Sequence, residues 1–376
     1  METDRTHGRK TPTEPDPEPC NYGAGATVAI VFYDGESDLR VCLGCLSRQT
    51  LKPRKILLVD NSNAGLDPAN FGEDVEILRS GENLGFAGGN NLALRGTKTE
   101  FFATLNADAF PEPEWLESLV EAARGHPEAA AFGSLQIQHE NPTLADGIGD
   151  QYHFSGLAWR RGYLCELASL DLAPRRIFSP CGAAAFFRTA ELQAIGGFDE
   201  DFFCYCEDLD VGFRLWLAGQ ACRFAPKAVV RHRGAGSSGD CHSDFAVYHG
   251  HRNLVWVYLK NMPGFLFWIF LPLHLLMNLQ MTHAVTLRGQ GEVMRRAKRD
   301  ALQGIARVWD KRLAIQTRRK TSLGAIWSVL DKSLPPEPWR RTFQRIREQI
   351  HQRMEGKGSL YEILCFGQKL KEPKND

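Results

Sequence analysis

The sequence lacks several features that would assign a chain at once to a class of protein. Its 376 residues carry 45 Lys and Arg against 45 Asp and Glu, so no excess charge indicates a nucleic-acid partner. Residues 1–20 hold no apolar core of a signal peptide, so we expect a disordered leader over residues 1–25 and a protein that stays in the cytoplasm. The glycine-rich segment ENLGFAGGNNLAL does not carry the dinucleotide pattern Gly-x-Gly-x-x-Gly, which disfavours a nicotinamide-dependent oxidoreductase.

The ten cysteines do not form a zinc motif. Cys42 and Cys45 fall on the apolar side of a predicted helix, and Cys204 and Cys206 flank a tyrosine without a second ligand pair. This spacing favours buried free thiols over a metal site.

Short apolar strands alternate with helices in the first third of the chain. TVAIVF (27–32), KILLVD (55–60), VEILRS (75–80) and EFFATL (100–105) predict an α/β fold with a parallel sheet and helices on both faces. Ligands bind such a sheet at the carboxyl ends of its strands. The polar residues at those ends are therefore candidates for function: Asp34, Asp60, Asn106 and Asp108.

A glycine-rich segment, ENLGFAGGNNLAL, lies between two of the strands. Gly85, Gly88 and Gly89 allow a tight turn and a close approach to a ligand before a helix that we expect to begin near Asn90. The segment is consistent with a phosphate site at a helix start or with a simple turn.

Asp108 follows the fourth predicted strand and precedes a Pro-Glu-Pro-Glu-Trp helix start. Beside Asn106 it is suited to hold Mg²⁺ or Mn²⁺ through oxygen, with substrate phosphates as the remaining ligands. An Asx-turn is the alternative reason for a carboxylate at this position.

The segment from Cys181 to Gly219 concentrates carboxylates among aromatic residues. Leu209, Phe213 and Trp216 recur at helical spacing, so Glu207 and Asp208 fall in the first turn of a predicted amphipathic helix. Burial and mutual repulsion there suit one of them to act as a general base. The alternative is that the pair only caps the helix.

Together these segments resemble the family-two glycosyltransferases, in particular their bacterial rhamnosyltransferase-like branch. The resemblance rests on LLVDNSN, ENLGFAGGNN, LNADAFPEPEW, CGAAAFFR and GGFDEDFFCYCEDLDVGFRLWLAG in this order, and it spans residues 26–320. It implies a GT-A fold, a Rossmann-like and mainly parallel mixed sheet flanked by helices. It also implies an inverting enzyme, because one carboxylate base opposite the leaving group gives a single displacement.

The resemblance further implies roles for individual residues. Asp60 resembles the carboxylate that recognises the base or ribose of the nucleotide, and the wall of the nucleotide pocket would comprise Asn83, Gly85, Gly88 and Asn90. Asp34 and Asn106 depart from the family pattern, since many relatives have Asn in place of Asp34 and Asp in place of Asn106.

The metal and base roles follow in the same way. Asp108 resembles the last residue of the metal-binding Asp-x-Asp motif, and His232 resembles a downstream histidine that completes the metal or diphosphate site. A surface histidine is the alternative for His232. Asp208 resembles the base that deprotonates the acceptor hydroxyl, and Glu207 supports it.

The C-terminal third differs in composition. An apolar stretch from Met262 to Met277, interrupted by Pro272 and His274, is short for a spanning helix and predicts an in-plane or re-entrant segment. The basic region that follows, up to Lys320, suits an anionic membrane surface, although a plain bundle helix is the alternative. We expect a catalytic domain over 26–250, a helical membrane-associating extension over 251–334 and a charged tail over 335–376.

The sequence thus predicts a metal-dependent, inverting glycosyltransferase peripherally associated with the inner face of the cell membrane. The predicted donor is a dTDP- or UDP-linked sugar, with rhamnose suggested by the branch, and the predicted acceptor is a lipid-linked or growing cell-surface glycan. The alternative is a catalytically silent nucleotide- or glycan-binding protein on the same fold.

Overall fold

A computed structural model describes residues 23–62, 65–234 and 242–334 of the chain. The predicted leader and charged tail therefore lie almost entirely outside the described residues. The strands are β1 (Gly23–Phe32), β2 (Lys55–Asp60), β3 (Val75–Arg79), β4 (Thr99–Leu105), β5 (Ala109–Pro111), β6 (Ala129–Gln138), β7 (Ala145–Gly147), β8 (Asp150–Tyr152), β9 (Ala158–Arg160), β10 (Arg175–Arg176), β11 (Ala184–Arg188) and β12 (Ala221–His232).

The helices divide into two groups. Those of the sheet region are α1 (Glu36–Ser47), α2 (Gly85–Arg95), α3 (Trp115–Gly125), α4 (Thr189–Ala194) and α5 (Glu207–Leu217). A C-terminal group comprises α6 (Asp244–Asn261), α7 (Gly264–Val285), α8 (Gly291–Gln303), α9 (Ile305–Thr317) and α10 (Leu323–Val329).

The main sheet is mixed and has two halves. Its strand order is β10-β12-β6-β11-β4-β1-β2-β3, with β5 paired to β12 and β7 paired to β6. The half from β4 to β3 is parallel, while β11 runs antiparallel between β4 and β6. The predicted mainly parallel α/β fold is confirmed, and the antiparallel β11 brings the chain from residue 181 onward beside the end of β4.

The parallel strands have continuous apolar runs because helices cover both faces of the sheet. Val28, Leu58 and Phe102, from three adjacent strands, are completely buried. Their packing stabilises the strand ends, where the polar side chains of the next section begin.

One helix start differs from the sequence prediction. α2 begins at Gly85 and not near Asn90. Gly85 has φ +66°, and a Cβ there would lie 2.4 Å from the carbonyl oxygen of Phe203. Its glycine therefore allows α2 to start early, in contact with a distant loop.

Most of the apolar C-terminal stretch lies in one longer helix, α7. α7 continues through Pro272, which lies on its exposed side, and a π-helical turn at Thr286–Gln290 joins α7 to α8. Among the described residues there is one helical stretch, Gly264–Gln303, that is long enough and apolar enough to cross a membrane, judged by length and composition alone.

An ion cluster joins the C-terminal helices to the sheet region. Lys260 on α6 lies 2.5 Å from Asp199 and 2.7 Å from Asp210, and Lys311 on α9 lies 2.5 Å from both Asp199 and Asp201. We call these five residues the Asp199 ion cluster. Burial would raise the pKa of Asp199, but the two lysines outweigh it and hold that pKa well below its ordinary value.

Candidate active site

The two residues of the predicted metal motif lie where β4 ends. Asn106 donates its backbone N–H to the carbonyl of Ala183 at 2.9 Å, which joins the end of β4 to the loop before β11. Asp108 stands in the turn between β4 and β5, with its side chain 14% exposed. The motif therefore faces the segment that leads to the predicted base.

His232 lies between two carboxylates. The last residue of β12, it pairs in register with Ala109 of β5, and this brings its ring beside Asp108. Its Nε2 lies 3.4 Å from Oδ1 of Asp108, and its Nδ1 lies 2.8 Å from Oδ2 of Asp146. Burial lowers the pKa of His232, but hydrogen bonds to both carboxylates outweigh burial and raise the pKa to about 9. The alternative of a surface histidine was wrong, since His232 is only 6% exposed.

The donor atoms around His232 fit a divalent cation. Asp108 supplies carboxylate oxygen, and His232 supplies Nε2 once that nitrogen loses its proton. The amide of Asn106 lies 3.4 Å from the same nitrogen, and turning this amide over would present its oxygen to the same point. Asp146 accepts from Nδ1–H, the arrangement that orients metal-binding histidines in proteins.

Asp208 is fastened at the start of α5. Its Oδ2 accepts the N–H of Gly182 at 2.8 Å, and its Oδ1 accepts the N–H of Leu209 at 2.8 Å. The residue that precedes the helix is Cys206, whose side chain makes no capping bond. The pKa of Asp208 is raised, because burial outweighs the two backbone hydrogen bonds. A half-buried carboxylate with a raised pKa suits proton abstraction.

Glu207 differs from its neighbour. It is 5% exposed, and its Oε2 has no hydrogen-bond partner. Burial, with a contribution from the charge of Asp208, raises the pKa of Glu207 well above its ordinary value. Burial thus disfavours the charged form of the Glu207 carboxyl.

Sequence reasoning missed three charged residues that complete the site. Asp150, at the start of β8, brings a carboxylate oxygen within 4.8 Å of both an Asp208 oxygen and the Cys181 sulfur. Burial raises the pKa of Asp150, and the charge of Asp208 adds to this effect. The other two are Asp146 and Arg160, whose Oδ2 and Nη1 lie 2.6 Å apart. The one local signal was the pair of acids in ADGIGD (145–150), which follows no predicted strand.

The backbone before α5 is strained. Phe203, Tyr205 and Cys206 have φ values of 63°, 68° and 65°, a region that side chains other than glycine rarely adopt. Asn253 on α6 holds this turn, because its Nδ2 donates to the carbonyls of residues 202, 204 and 205 at 2.7–3.0 Å. Strain of this kind collects at functional sites.

Two of the predicted nucleotide-binding residues, Asp34 and Asp60, lie at the ends of β1 and β2. Asp60 is buried, and its oxygens accept from Ser62 and from the N–H of Leu66 at 2.6–3.0 Å. Burial would raise the pKa of Asp60, but these hydrogen bonds lower it. Asp34 is exposed and accepts from the N–H of Gly35. The carboxylate of Asp60 thus organises the loop after β2, and a role in nucleotide recognition stays a prediction.

The glycine-rich segment is a packed helix start. Asn83 accepts the N–H of Gly85 at 2.9 Å, and the carbonyl of Phe203 accepts the N–H of Ala87 at 3.1 Å. These two first-turn N–H groups are therefore already bonded within the protein. Gly88 packs against Leu84, and Asn90 is 1% exposed with its Oδ1 unpartnered. Their contact with a nucleotide stays a prediction.

The fold is the GT-A fold, and sequence comparison adds the family. The chain contains a glycosyl transferase family 2 domain, matched over residues 27–190. An N-acetylglucosaminyl-diphospho-decaprenol L-rhamnosyltransferase of Mycobacterium tuberculosis is 29% identical, over 59% of this chain and 80% of the relative. A pre-mycofactocin glycosyltransferase of the same organism is also 29% identical, over 55% of this chain and 42% of its own length.

Among solved structures, the mannosyltransferase PcManGT of Pyrobaculum calidifontis, in complex with GDP-Man and Mn²⁺, has a TM-score of 0.44. It is 17% identical and covers 82% of this chain and 88% of its own length. A likeness of this degree carries no conclusion about ligands. The predicted family is confirmed by the sequence match.

Proposed function

We propose that the chain is an inverting, metal-dependent glycosyltransferase that moves a sugar from a nucleotide diphosphate to a hydroxyl of a lipid-linked or growing glycan. One observation carries the proposal. Contacts run from Asp108 through His232 and Asp146 to Arg160, and the charge of Asp208 at the start of α5 acts in turn on the Arg160 guanidinium. A metal-type donor set and a base-type carboxylate are the two parts that such a transfer needs.

The proton and bond changes assign a task to each part. Asp208 takes the proton of the acceptor hydroxyl while the acceptor oxygen forms a bond to the anomeric carbon. The bond from that carbon to the diphosphate oxygen breaks, and the nucleotide diphosphate leaves. One displacement of this kind inverts the anomeric centre. A bound cation would neutralise the charge that develops on the leaving phosphate.

The cation would be held by Asp108 and His232, with the amide of Asn106 in reach. Mg²⁺ prefers an octahedron of oxygen ligands, whereas imidazole suits transition-metal ions better. We therefore expect Mn²⁺ to support activity better than Mg²⁺.

Association with the membrane is supported by the exposed side of α7. Phe265, Trp268, Ile269, Leu275, Leu276 and Leu279 are each 55–69% exposed and recur at helical spacing, and we call them the α7 stripe. The opposite side of α7 is bound to the protein, since the ring of His274 stacks on Tyr258 with centroids 3.9 Å apart. A helix packed along one side lies in the membrane plane more readily than across it.

Basic residues stand beyond the end of the α7 stripe. Arg295, Arg296 and Arg299 on α8 are exposed, and each cation near an anionic leaflet adds roughly 1 kcal/mol of attraction. This arrangement supports peripheral binding to the inner face of the cell membrane, where a lipid-linked acceptor is found. The name of the M. tuberculosis rhamnosyltransferase includes such an acceptor, and it suggests rhamnose as the sugar.

A thermal-stability screen tests the donor half of the proposal. The chain is heated with dTDP-rhamnose, UDP-glucose and UDP-N-acetylglucosamine, each with Mn²⁺, with Mg²⁺ or with EDTA. A ligand at 100 times its Kd adds about 2.7 kcal/mol to the free energy of unfolding. We expect stabilisation that EDTA abolishes. If the nucleotide-sugar stabilises the chain but no nucleotide is released when glycan and lipid-linked acceptors are supplied, the result supports a catalytically silent binding protein instead.

A further inference from the structure

The segment from Ala145 to Asp150 and the facing strand β9 supply neither a metal ligand nor the base of the proposed reaction. β7 pairs with β6, and the residue pair Asp150 and Arg160 lies in register between β8 and β9. This pairing brings one cation between two carboxylates. Asp146 belongs to the metal side of the site and Asp150 to the base side.

Gly147, which lies between Asp146 and Asp150, leaves room for the side chain of Arg160. A Cβ on Gly147 would lie 2.4 Å from Cδ and 2.5 Å from Cγ of Arg160, so the arginine side chain passes directly over this glycine. Any larger residue would push the guanidinium away. The first glycine of ADGIGD is thus explained by the position of Arg160.

Asp146 contacts both sides of the site through one oxygen. Its Oδ2 lies 2.8 Å from Nδ1 of His232 and 2.6 Å from Nη1 of Arg160. The side chains of Asp146 and His232 are 8% and 7% exposed, whereas that of Arg160 is 30% exposed. Water therefore screens the contact with His232 only weakly, whereas the Arg160 side chain is partly exposed to solvent.

Arg160 is the counter-charge on the base side. The carboxylates of Asp146, Asp150 and Asp208 all act electrostatically on its guanidinium. Without this cation, Asp150 and Asp208 would repel each other in a buried place. The other titratable groups around Asp208 are Glu207, Cys204 and Cys206 from its own segment and Cys181 before β11.

We propose that Asp146 and Arg160 are positioning residues that couple the two halves of the active site. Asp146 keeps the ring of His232 turned with Nε2 toward Asp108, and it also holds Arg160 in place. Arg160 keeps the base-side carboxylate charged and oriented. This inference rests on the proposed function, because it assumes a cation at Asp108 and a base at Asp208.

The metal side is tested with Mn²⁺ alone, titrated into the full chain and followed by electron paramagnetic resonance. We expect Asp146→Asn to weaken Mn²⁺ binding by about 10- to 100-fold, as for other residues that orient a metal-binding histidine. Asp146→Glu, which keeps the charge, should recover part of the affinity. Asp171→Asn is the control, since this exposed acid forms its ion pair with Arg175, four residues along the chain.

Asp108→Asn separates failure of this inference from failure of the proposed function. If Asp108→Asn binds Mn²⁺ like the unmodified chain, the metal site itself is wrong. If Asp108→Asn loses Mn²⁺ while folded Asp146→Asn retains it, only the positioning role of Asp146 is overturned. Thermal melting of each variant identifies a loss of binding that comes from unfolding.

The base side is tested through the pH dependence of dTDP-rhamnose hydrolysis, with water as the acceptor and UDP-glucose as a second donor. Removing a cation raises the pKa of a nearby carboxylate, so Arg160→Met should move the acid limb of kcat/KM upward by about 1 unit or more. Arg160→Lys should leave the limb near its original position. Arg161→Met is the control, because this neighbouring arginine contacts no carboxylate at the base. An unchanged limb in folded Arg160→Met would overturn the role of Arg160.

Discussion

Asp208→Asn should remove sugar transfer while binding of the nucleotide-sugar and the metal persists. The amide cannot accept the proton of the acceptor hydroxyl. Loss of a general base typically lowers the rate by about 10²- to 10⁴-fold, which corresponds to roughly 2.7 to 5.4 kcal/mol in the activation free energy.

The structure also sets the stability cost of this substitution. The N–H groups of Gly182 and Leu209 donate to different oxygens of Asp208, and asparagine has only one oxygen to offer. One N–H would then face the amide NH₂ group, and an unsatisfied buried group costs about 1–3 kcal/mol. Removing a charge next to Asp150 and Glu207 offsets part of this cost. We expect a loss of about 1–2 kcal/mol in the free energy of unfolding.

The assay measures nucleotide release with and without acceptor, donor affinity by calorimetry and the urea midpoint. Glu207→Gln is the matched control, because burial already disfavours the charged form of Glu207 and the amide should retain activity. If Glu207→Gln is inactive and Asp208→Asn is active, the roles within the pair are reversed. If both variants are active, the base lies elsewhere and the reasoning from the pKa of Asp208 is refuted.

Four further predictions concern other parts of the molecule. Asp108→Asn should weaken Mn²⁺-dependent binding of the donor without unfolding the chain, and calorimetry with the nucleotide-sugar checks this; unchanged affinity would exclude Asp108 as a ligand. Leu279→Glu should lower the affinity for phosphatidylglycerol vesicles, measured by co-sedimentation, by about 10-fold or more, since burying a leucine contributes roughly 1.5–3 kcal/mol. Salt at about 1 M should release the unmodified chain from the vesicles only in part. Because the pKa of Asp199 is lowered, the Asp199 ion cluster stabilises the fold fully above the ordinary pKa of 3.8 and loses this contribution as the pH falls below it. The urea midpoint should therefore drop between pH 4 and pH 2 less steeply in Asp199→Asn than in the unmodified chain. Gly85→Ala should destabilise the chain by more than Gly81→Ala, because both have positive φ but only a Cβ at Gly85 meets another residue; equal thermal shifts would contradict this contact.

The sequence by itself determined the elements that depend on local pattern. Apolar runs of strand length predicted β1, β2, β3 and β4, and helical spacing after Asp208 predicted α5. These features need only neighbouring residues, since side-chain alternation and helix periodicity are properties of a short segment. The ends of parallel strands also meet at one edge, so the positions of Asp60, Asn106 and Asp108 there could be predicted.

The tertiary structure decided which distant side chains meet. Asp146 contacts His232 across 86 residues of sequence. Arg160 reaches Asp146 only because Gly147 leaves space for its side chain. No local period encodes such a contact, which depends on the order of strands in the sheet.

The same holds for burial and for the start of α2. Glu207 and Asp208 are adjacent carboxylates, yet the packing around α5 leaves one without a partner and gives the other two backbone donors. α2 begins at Gly85 because a strained turn more than 100 residues later supplies the carbonyl of Phe203. Local sequence determines what each segment can form, whereas desolvation and long-range contacts determine what each side chain can do.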